Sequence, residues 1–327
     1  VAEGFRRAFG RGRLAHAYLF AGPGGVGKRT FAIELARALL CEKQTEKLEA
    51  CRACVACGLI EAGTHPDFVV AGRPAESQEF PIERMREVCH SFALKSARGR
   101  GKVVLIDDAD DLNEEAANCF LKTLEEPPPR SLLILLGSSP DRQLPTVRSR
   151  CQVIRFSPLP PSLVDEILQQ SGVEDAALRG RLVQIAGGSP GRALEVSDPE
   201  LWEFFRPFLV ELARPGPDTV ALARSLTAFI EEAGKEAIAQ RRRARLVLRL
   251  LVDFLDDALA HALGRPCQRT AAEDRASVEG LGSRVGPQVL LGLLERTLEC
   301  DRHIERNVQV VLAVEGLLDH FGQRLGR

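Results

Sequence analysis

The sequence predicts an α/β domain on a parallel sheet with a phosphate loop, followed by an all-helical second half. Three observations carry this. Gly22-Pro23-Gly24-Gly25-Val26-Gly27-Lys28-Arg29-Thr30 lies between an apolar run and a helical repeat. The wholly apolar stretches 103–106 and 132–136 read as strands buried on both faces, as a central parallel sheet requires. From residue 162 onward the apolar residues recur at helical spacing.

Residues 1–16 read as an amphipathic helix and a short basic turn, Arg11-Gly12-Arg13, and an initiating segment is expected before Val1. Residues 17–21 form the first strand. After the loop, Phe31, Leu35 and Leu39 share one helical face, with Ala32, Ala36 and Leu40 beside it, and the helix ends near Cys41. Strand, glycine turn and helix are the setting a phosphate loop needs. Gly22, Gly25 and Gly27 let the backbone turn tightly and aim N–H groups at phosphate oxygens. The helix N-terminus adds partial positive charge and Lys28 a full one. The plainer reading, a glycine-rich surface turn, leaves the lysine and both flanking elements unexplained. One position departs from the pattern. The residue after the lysine should carry a hydroxyl that holds Mg²⁺. It is Arg29, and the hydroxyl arrives at Thr30, about 100° further round the helix. The loop is therefore suited to phosphate and handicapped for metal.

Cys41, Cys51, Cys54 and Cys57 follow with spacing C-x9-C-x2-C-x2-C. Four thiolates so spaced can close a tetrahedron around Zn²⁺, and four protein ligands make such a site structural, because no position stays open. The intervening residues 42–50 are polar and could not pack a core, so a metal would supply the cross-link. The alternative is four unconnected free thiols. His65 is a ligand only if one cysteine is not; otherwise it orients its loop.

A second strand is expected at 68–70 and a helix at 82–94. Arg84, Arg86 and Lys95 there form either a solvated face or a DNA-facing one. Strand 103–106 ends in Asp107-Asp108-Ala109-Asp110. Acids at the C-terminal end of a parallel strand sit where ligands bind such sheets. Asp107 is expected to hold Mg²⁺ through water and Asp108 to polarise an attacking water; the alternative is a solvated strand end. Helix 113–126 is stopped by Pro127-Pro128-Pro129, and after strand 132–136 a last strand covers 153–156. Prolines at 158, 160 and 161 mark a domain boundary.

In the second half, Leu246, Leu250 and Phe254, and then Leu290, Leu294 and Leu298, mark apolar faces. Residues 214–218 form a short break and 264–286 a longer polar connection. Arg241, Arg242, Arg243, Arg245 and Arg249 make a basic run, read as a solvated helix face or a nucleic-acid patch. Length allows two or three domains. A formal net charge of −1 gives no global pull toward nucleic acid or membrane, so any such contact is local. Aromatics at 5% argue against base stacking as the main mode of action. Nine cysteines, no membrane-length apolar run and no leader pattern lead to the expectation of a cytoplasmic protein with metal or free thiols.

Several further pieces coincide with the loop and the cysteines. They are His16-Ala17-Tyr18-Leu19-Phe20, residues 118–128, Ser149-Arg150-Cys151, and Gly188-Ser189-Pro190-Gly191-Arg192-Ala193-Leu194. Together they make the chain resemble the bacterial clamp-loader subunits of the AAA+ superfamily, in particular the delta-prime type of DNA polymerase III. Motifs carry the likeness over about the first 200 residues, length and helical character over the rest. The resemblance implies an AAA+ domain at 1–158 with an inserted zinc module at about 41–57, a helical lid at 159–205 and a helical collar at 206–327. It implies a hetero-pentamer with gamma/tau-type and delta-type subunits that uses ATP to open a sliding clamp and place it on primer-template DNA. Within that assembly Arg150 matches the arginine finger offered to a neighbouring ATPase subunit. Ser138 matches a polar sensor of the γ-phosphate, and Arg192 a lid arginine that contacts nucleotide. In motor subunits Thr or Ser follows the lysine and Glu follows the strand acid; here Arg29 and Asp108 stand there. With Ser-Arg-Cys intact, the pattern implies a subunit that completes a neighbour's site and hydrolyses little ATP itself, structural Zn²⁺ being its firm cofactor and ATP/Mg²⁺ a weak one. A gamma/tau-type motor that uses Thr30, and a zinc-dependent DNA-binding regulator with a vestigial nucleotide fold, are the competing readings.

Overall fold

Five strands, β1 (Ala17–Ala21), β2 (Phe68–Ala71), β3 (Lys102–Ile106), β4 (Ser131–Gly137) and β5 (Gln152–Arg155), form one sheet in the order β2-β3-β4-β1-β5. Every ladder is parallel, with Leu19 opposite Leu135 and Val153, and Val104 opposite Leu133. The structure is a computed structural model, describing residues 1–45, 47–74, 80–267 and 272–326. The chain divides into two compact units, Val1–Leu159 and Pro160–Arg327.

The central strands are apolar throughout because both faces are covered. Side chains alternate across a strand, so Leu19, Val104, Ile106, Leu133 and Leu135 face one way, and Tyr18, Phe20, Val103, Leu105 and Ile134 the other. The second set is covered by helices α1 (Ala2–Gly10) and α2 (Lys28–Leu40), through Phe5, Leu35 and Ala36. Beyond the cysteine-rich turn and the short helix α3 (Val55–Glu61), the first set is covered by α4 (Ile82–Ala93) and α5 (Glu114–Glu125). Met85, Val88, Phe92, Phe120 and Leu124 fill that side, each worth about 1.5–3 kcal/mol on full burial. Helix α5 starts where Asn113 accepts a hydrogen bond from the Ala116 N–H at 2.9 Å, with Glu114 and Glu115 at its positive end. A short helix α6 (Pro145–Arg148) leads into β5.

The second unit is helical: α7 (Pro161–Gln170), α8 (Ala176–Ala186), α9 (Pro190–Glu195), α10 (Pro199–Leu212), α11 (Thr219–Glu231), α12 (Ala237–Ala262), α13 (Ala272–Arg284), α14 (Pro287–Glu305) and α15 (Val310–Leu325). Helices α7, α8 and α9 pack on one another; α12 lies against α13 and α14, and α11 against α15. No helix among the described residues is long and apolar enough to cross a membrane.

Three expectations need amendment. The polar connection 264–286 contains α13. Its helical signal is weak because, among its described side chains, the buried ones are Val278, Leu281 and the charged Asp274, and because glycine breaks the pattern. Gly282 is one reason it packs: a Cβ there would lie 2.6 Å from the Ala258 carbonyl oxygen of α12. Residues 268–271 of that connection lie outside the described residues. On α14 the buried face is Leu290, Leu293, Thr297, Cys300 and Ile304, while Leu298 is 42% exposed. The leucines offered two overlapping faces. Thr297 disguised the right one, its hydroxyl satisfied by donation to the Leu293 carbonyl at 2.8 Å. The basic run is largely engaged within the unit: Arg245 with Asp301 and Glu305, Arg249 with Glu195, and Arg243 over the Phe229 ring.

Candidate functional site

The phosphate loop runs from the C-terminal end of β1 into α2. Gly25 and Gly27 have φ of +71° and +96°, the left-handed region that costs glycine nothing. At Gly22 a side chain is excluded outright, since a Cβ would sit 2.2 Å from the Phe156 carbonyl oxygen. Lys28, at the first position of α2, folds back so that Nζ donates to the carbonyls of Gly22 and Pro23. Burial pulls its pKa down; the carboxylates of Asp110, Asp107 and Asp108 act against that.

β3 and β4 end beside this loop, because β1, β4 and β3 are neighbours in the sheet. Arg29 crosses from α2 to β3, its Nη1 donating to Asp107 Oδ2 at 2.7 Å. The carboxylate expected to hold Mg²⁺ is thus ion-paired to the residue that replaced the expected hydroxyl. Thr30 is exposed. Asp108 adopts φ +52°. Burial raises its pKa, and the charges of Asp107 and Asp111 add to this. Ser138 follows β4, its N–H donating to Asp110 Oδ2 at 2.7 Å. Asp110 also accepts from Gln143 Nε2 at 2.7 Å and so ties the ends of β3 and β4 together. Sequence reasoning gave Asp110 no role. The only available signal was its membership of the acidic run, which does not say which acid turns inward.

Arg150 follows α6, next to Ser149. Its Nε donates to Glu125 Oε1 at 2.9 Å and Nη1 to the Thr146 carbonyl at 2.9 Å, and its side chain stays one-third exposed. Cys151, by contrast, packs into the core, and burial pushes its thiol up to about 12. Arg192 lies in the second unit, where it forms an ion pair with Asp253.

The four cysteines converge. Cys41 caps α2, Cys51 lies in the turn, and Cys54 and Cys57 begin α3. All four sulfurs lie within 4.8 Å of one another, and the Cys41 and Cys54 sulfurs are 3.9 Å apart. A tetrahedral thiolate site with metal–sulfur bonds of about 2.3 Å has sulfur–sulfur edges of about 3.8 Å, so the donor set fits a metal ion of that kind. Burial raises the Cys54 thiol, but N–H groups of Cys57 and Glu42 outweigh it and hold the thiol at about 6; burial and Cys54 push Cys57 up to about 12. His65 is not part of the cluster. It is buried, and its Nδ1 accepts the Asp67 N–H at 3.0 Å, which orients the loop entering β2.

Residues 1–160 match the family model described as DNA polymerase III, delta subunit. The DNA polymerase III subunit delta' of Haemophilus influenzae is 30% identical over 294 residues, covering 88% of this chain and 83% of that protein. The chain belongs to the DNA polymerase III subunit delta' family. The delta' subunit of Pseudomonas aeruginosa is 39% identical over 184 residues, and the match spans 55% of this chain and 55% of that relative's own length. The fold is shared with a gamma subunit-related protein of DNA polymerase III from Thermotoga maritima. The TM-score is 0.51, at 16% identity over 99% of each chain. Within the delta' family member described here, the matched 1–160 region holds the phosphate loop, the cysteine cluster and Arg150.

Proposed function

We propose that the chain acts as a delta'-type subunit of a bacterial replicative clamp loader. In this reading it joins gamma/tau-type and delta-type subunits in a hetero-pentamer. That assembly uses ATP to open a sliding clamp and load it on primer-template DNA, and this chain supplies Arg150 to a neighbour's nucleotide while turning over little ATP itself. The observation that carries the reading is the Arg29–Asp107 ion pair, which occupies the metal carboxylate of the chain's own loop. Arg150 meanwhile stays partly exposed on an intact Ser-Arg-Cys turn. A guanidinium reaching a neighbouring γ-phosphate is worth roughly 10³ to 10⁵ in rate in nucleotide hydrolases that use one. Arg150 would exchange its Glu125 partner for that phosphate. Zn²⁺ is the metal that suits four thiolates closed around one centre, held by Cys41, Cys51, Cys54 and Cys57, where it would cross-link α2, the turn and α3. The helical part of the chain would divide into a lid over 159–205, with Arg192, and a collar over 206–327.

The test mixes this chain with gamma/tau-type and delta-type subunits and a clamp, and follows DNA-stimulated ATP hydrolysis. Arg150→Ala is expected to depress turnover at the adjacent site with assembly intact. Unchanged turnover in an assembled complex removes the finger role, and rapid ATP hydrolysis by the isolated chain favours the gamma/tau-type motor reading instead.

A further inference from the structure

We propose that this phosphate loop takes a polyphosphate without a divalent metal, the Arg29 guanidinium standing where the metal would be, between the phosphates and Asp107. The anion-binding half of the site has its backbone, with Lys28 Nζ resting on the loop carbonyls of Gly22 and Pro23, from which a phosphate would draw it. Gly22, Gly25 and Gly27 hold the turn open, Gly22 under a steric demand that admits no side chain, and Lys28 opens a 13-residue helix. The metal-binding half does not fit Mg²⁺. A divalent ion in such a loop is held by the hydroxyl after the lysine and by the acid ending the adjacent strand. Here the first is an arginine, the second is its ion-pair partner at 2.7 Å, and Thr30 is exposed one residue further along. A cation entering beside Asp107 would have to displace the Arg29 guanidinium from its ion pair, with Lys28 next to it.

Arg29 also has what the substitute role needs. Its side chain is 58% exposed. Asp107 engages one donor of a planar group that carries five, in a fork suited to phosphate oxygens. A metal and a guanidinium both place positive charge between strand carboxylate and phosphate. The guanidinium does so covalently attached, so the site carries its own counter-charge. It orders no water for attack, which agrees with binding rather than turnover.

The inference concerns the chain's own loop and is independent of whether Arg150 serves a neighbour. The full chain is titrated calorimetrically with ADP and ATP, once with EDTA and once with Mg²⁺ in excess. The expected result is saturable binding in EDTA that Mg²⁺ changes by no more than about twofold, a difference of about 0.4 kcal/mol. Arg29→Thr is expected to lose at least about tenfold in EDTA and to recover part of it with Mg²⁺. Arg29→Lys, which keeps the charge, is expected to bind without metal but more weakly than the parent. Binding by the parent only when Mg²⁺ is present overturns the proposal. So does Arg29→Thr binding in EDTA as the parent does, or no nucleotide binding under either condition. None of these outcomes bears on the Arg150 assay in the assembled complex, so the two readings fail separately.

Discussion

Asp274 is a carboxylate only 8% exposed, joining three helices of the second unit. Arg181 of α8 donates to its Oδ2 at 2.8 Å, and Arg206 of α10 lies 3.5 Å from Oδ1; their side chains are 17% and 35% exposed. Asp274→Ala leaves two guanidiniums facing the gap. Removing one member of a buried pair costs about 3–5 kcal/mol, because the remaining charge stays desolvated. Arg206 can turn partly to water, so about 2–4 kcal/mol is the better expectation here. For a unit of this size that is a fall in Tm of about 5–15 °C. The chain has one tryptophan. Trp202 lies in this unit, buried, with its N–H on the Val196 carbonyl and the Arg181 guanidinium 5.6 Å from its ring centre. Its fluorescence in urea or on heating therefore reports this unit alone. Asp274→Asn keeps the shape and one acceptor and should lose clearly less than alanine. A loss below about 1 kcal/mol for alanine would refute the reasoning, since that is the range of exposed pairs. Asparagine as damaging as alanine would show that hydrogen-bonding shape contributes nothing.

In the first unit, Gly101→Ala should destabilise by about 3 kcal/mol or more, read by urea denaturation. The residue has φ +95° and an added Cβ would lie 1.8 Å from the Arg130 carbonyl oxygen, so strain and overlap combine. Purified protein is expected to carry one zinc per chain that survives dialysis without chelator, measured by atomic absorption, and Cys57→Ser should lose it; folded, metal-free protein would remove the zinc reading. Burial holds the His65 pKa below its ordinary value and Arg98 adds to this, against the carboxylates of Asp67 and Glu42. A depressed histidine pKa favours the fold fully above about pH 6.5, and that contribution is lost as pH falls from there toward the folded value. His65→Asn keeps an acceptor for the Asp67 N–H but cannot titrate. The stability advantage of the parent over this variant should therefore shrink between about pH 7 and 5, in parallel melts that cancel the shared response of the thiols.

Much of the first unit was legible because its signals are local. A glycine at the mouth of a loop, a lysine at a helix start, a cysteine every third residue and an apolar strand each state their requirement within a few positions. The end of α5 was equally plain, since proline cannot continue a helix. Signals failed where burial is decided by a partner far along the chain. The face of α14 depended on a threonine whose hydroxyl is hidden against its own helix. Helix α13 could be recognised only by the groove of α12 that receives it.

The sequence by itself determined that a phosphate-loop pattern, four cysteines at metal-ligand spacing and an intact Ser-Arg-Cys run occur in one chain, and that Arg29 follows Lys28 where a hydroxyl is expected. Only the tertiary structure decided what the replacement does. Residues 29 and 107 become neighbours because β1, β4 and β3 lie side by side, which brings the start of α2 against the end of β3. The same holds for Asp110 between Ser138 and Gln143, for Arg150 on Glu125, and for the sulfurs of Cys41 and Cys54 at 3.9 Å. Composition and spacing state which charges and ligands are present. Which of them neutralise one another depends on distances of a few ångströms, and those are set by packing.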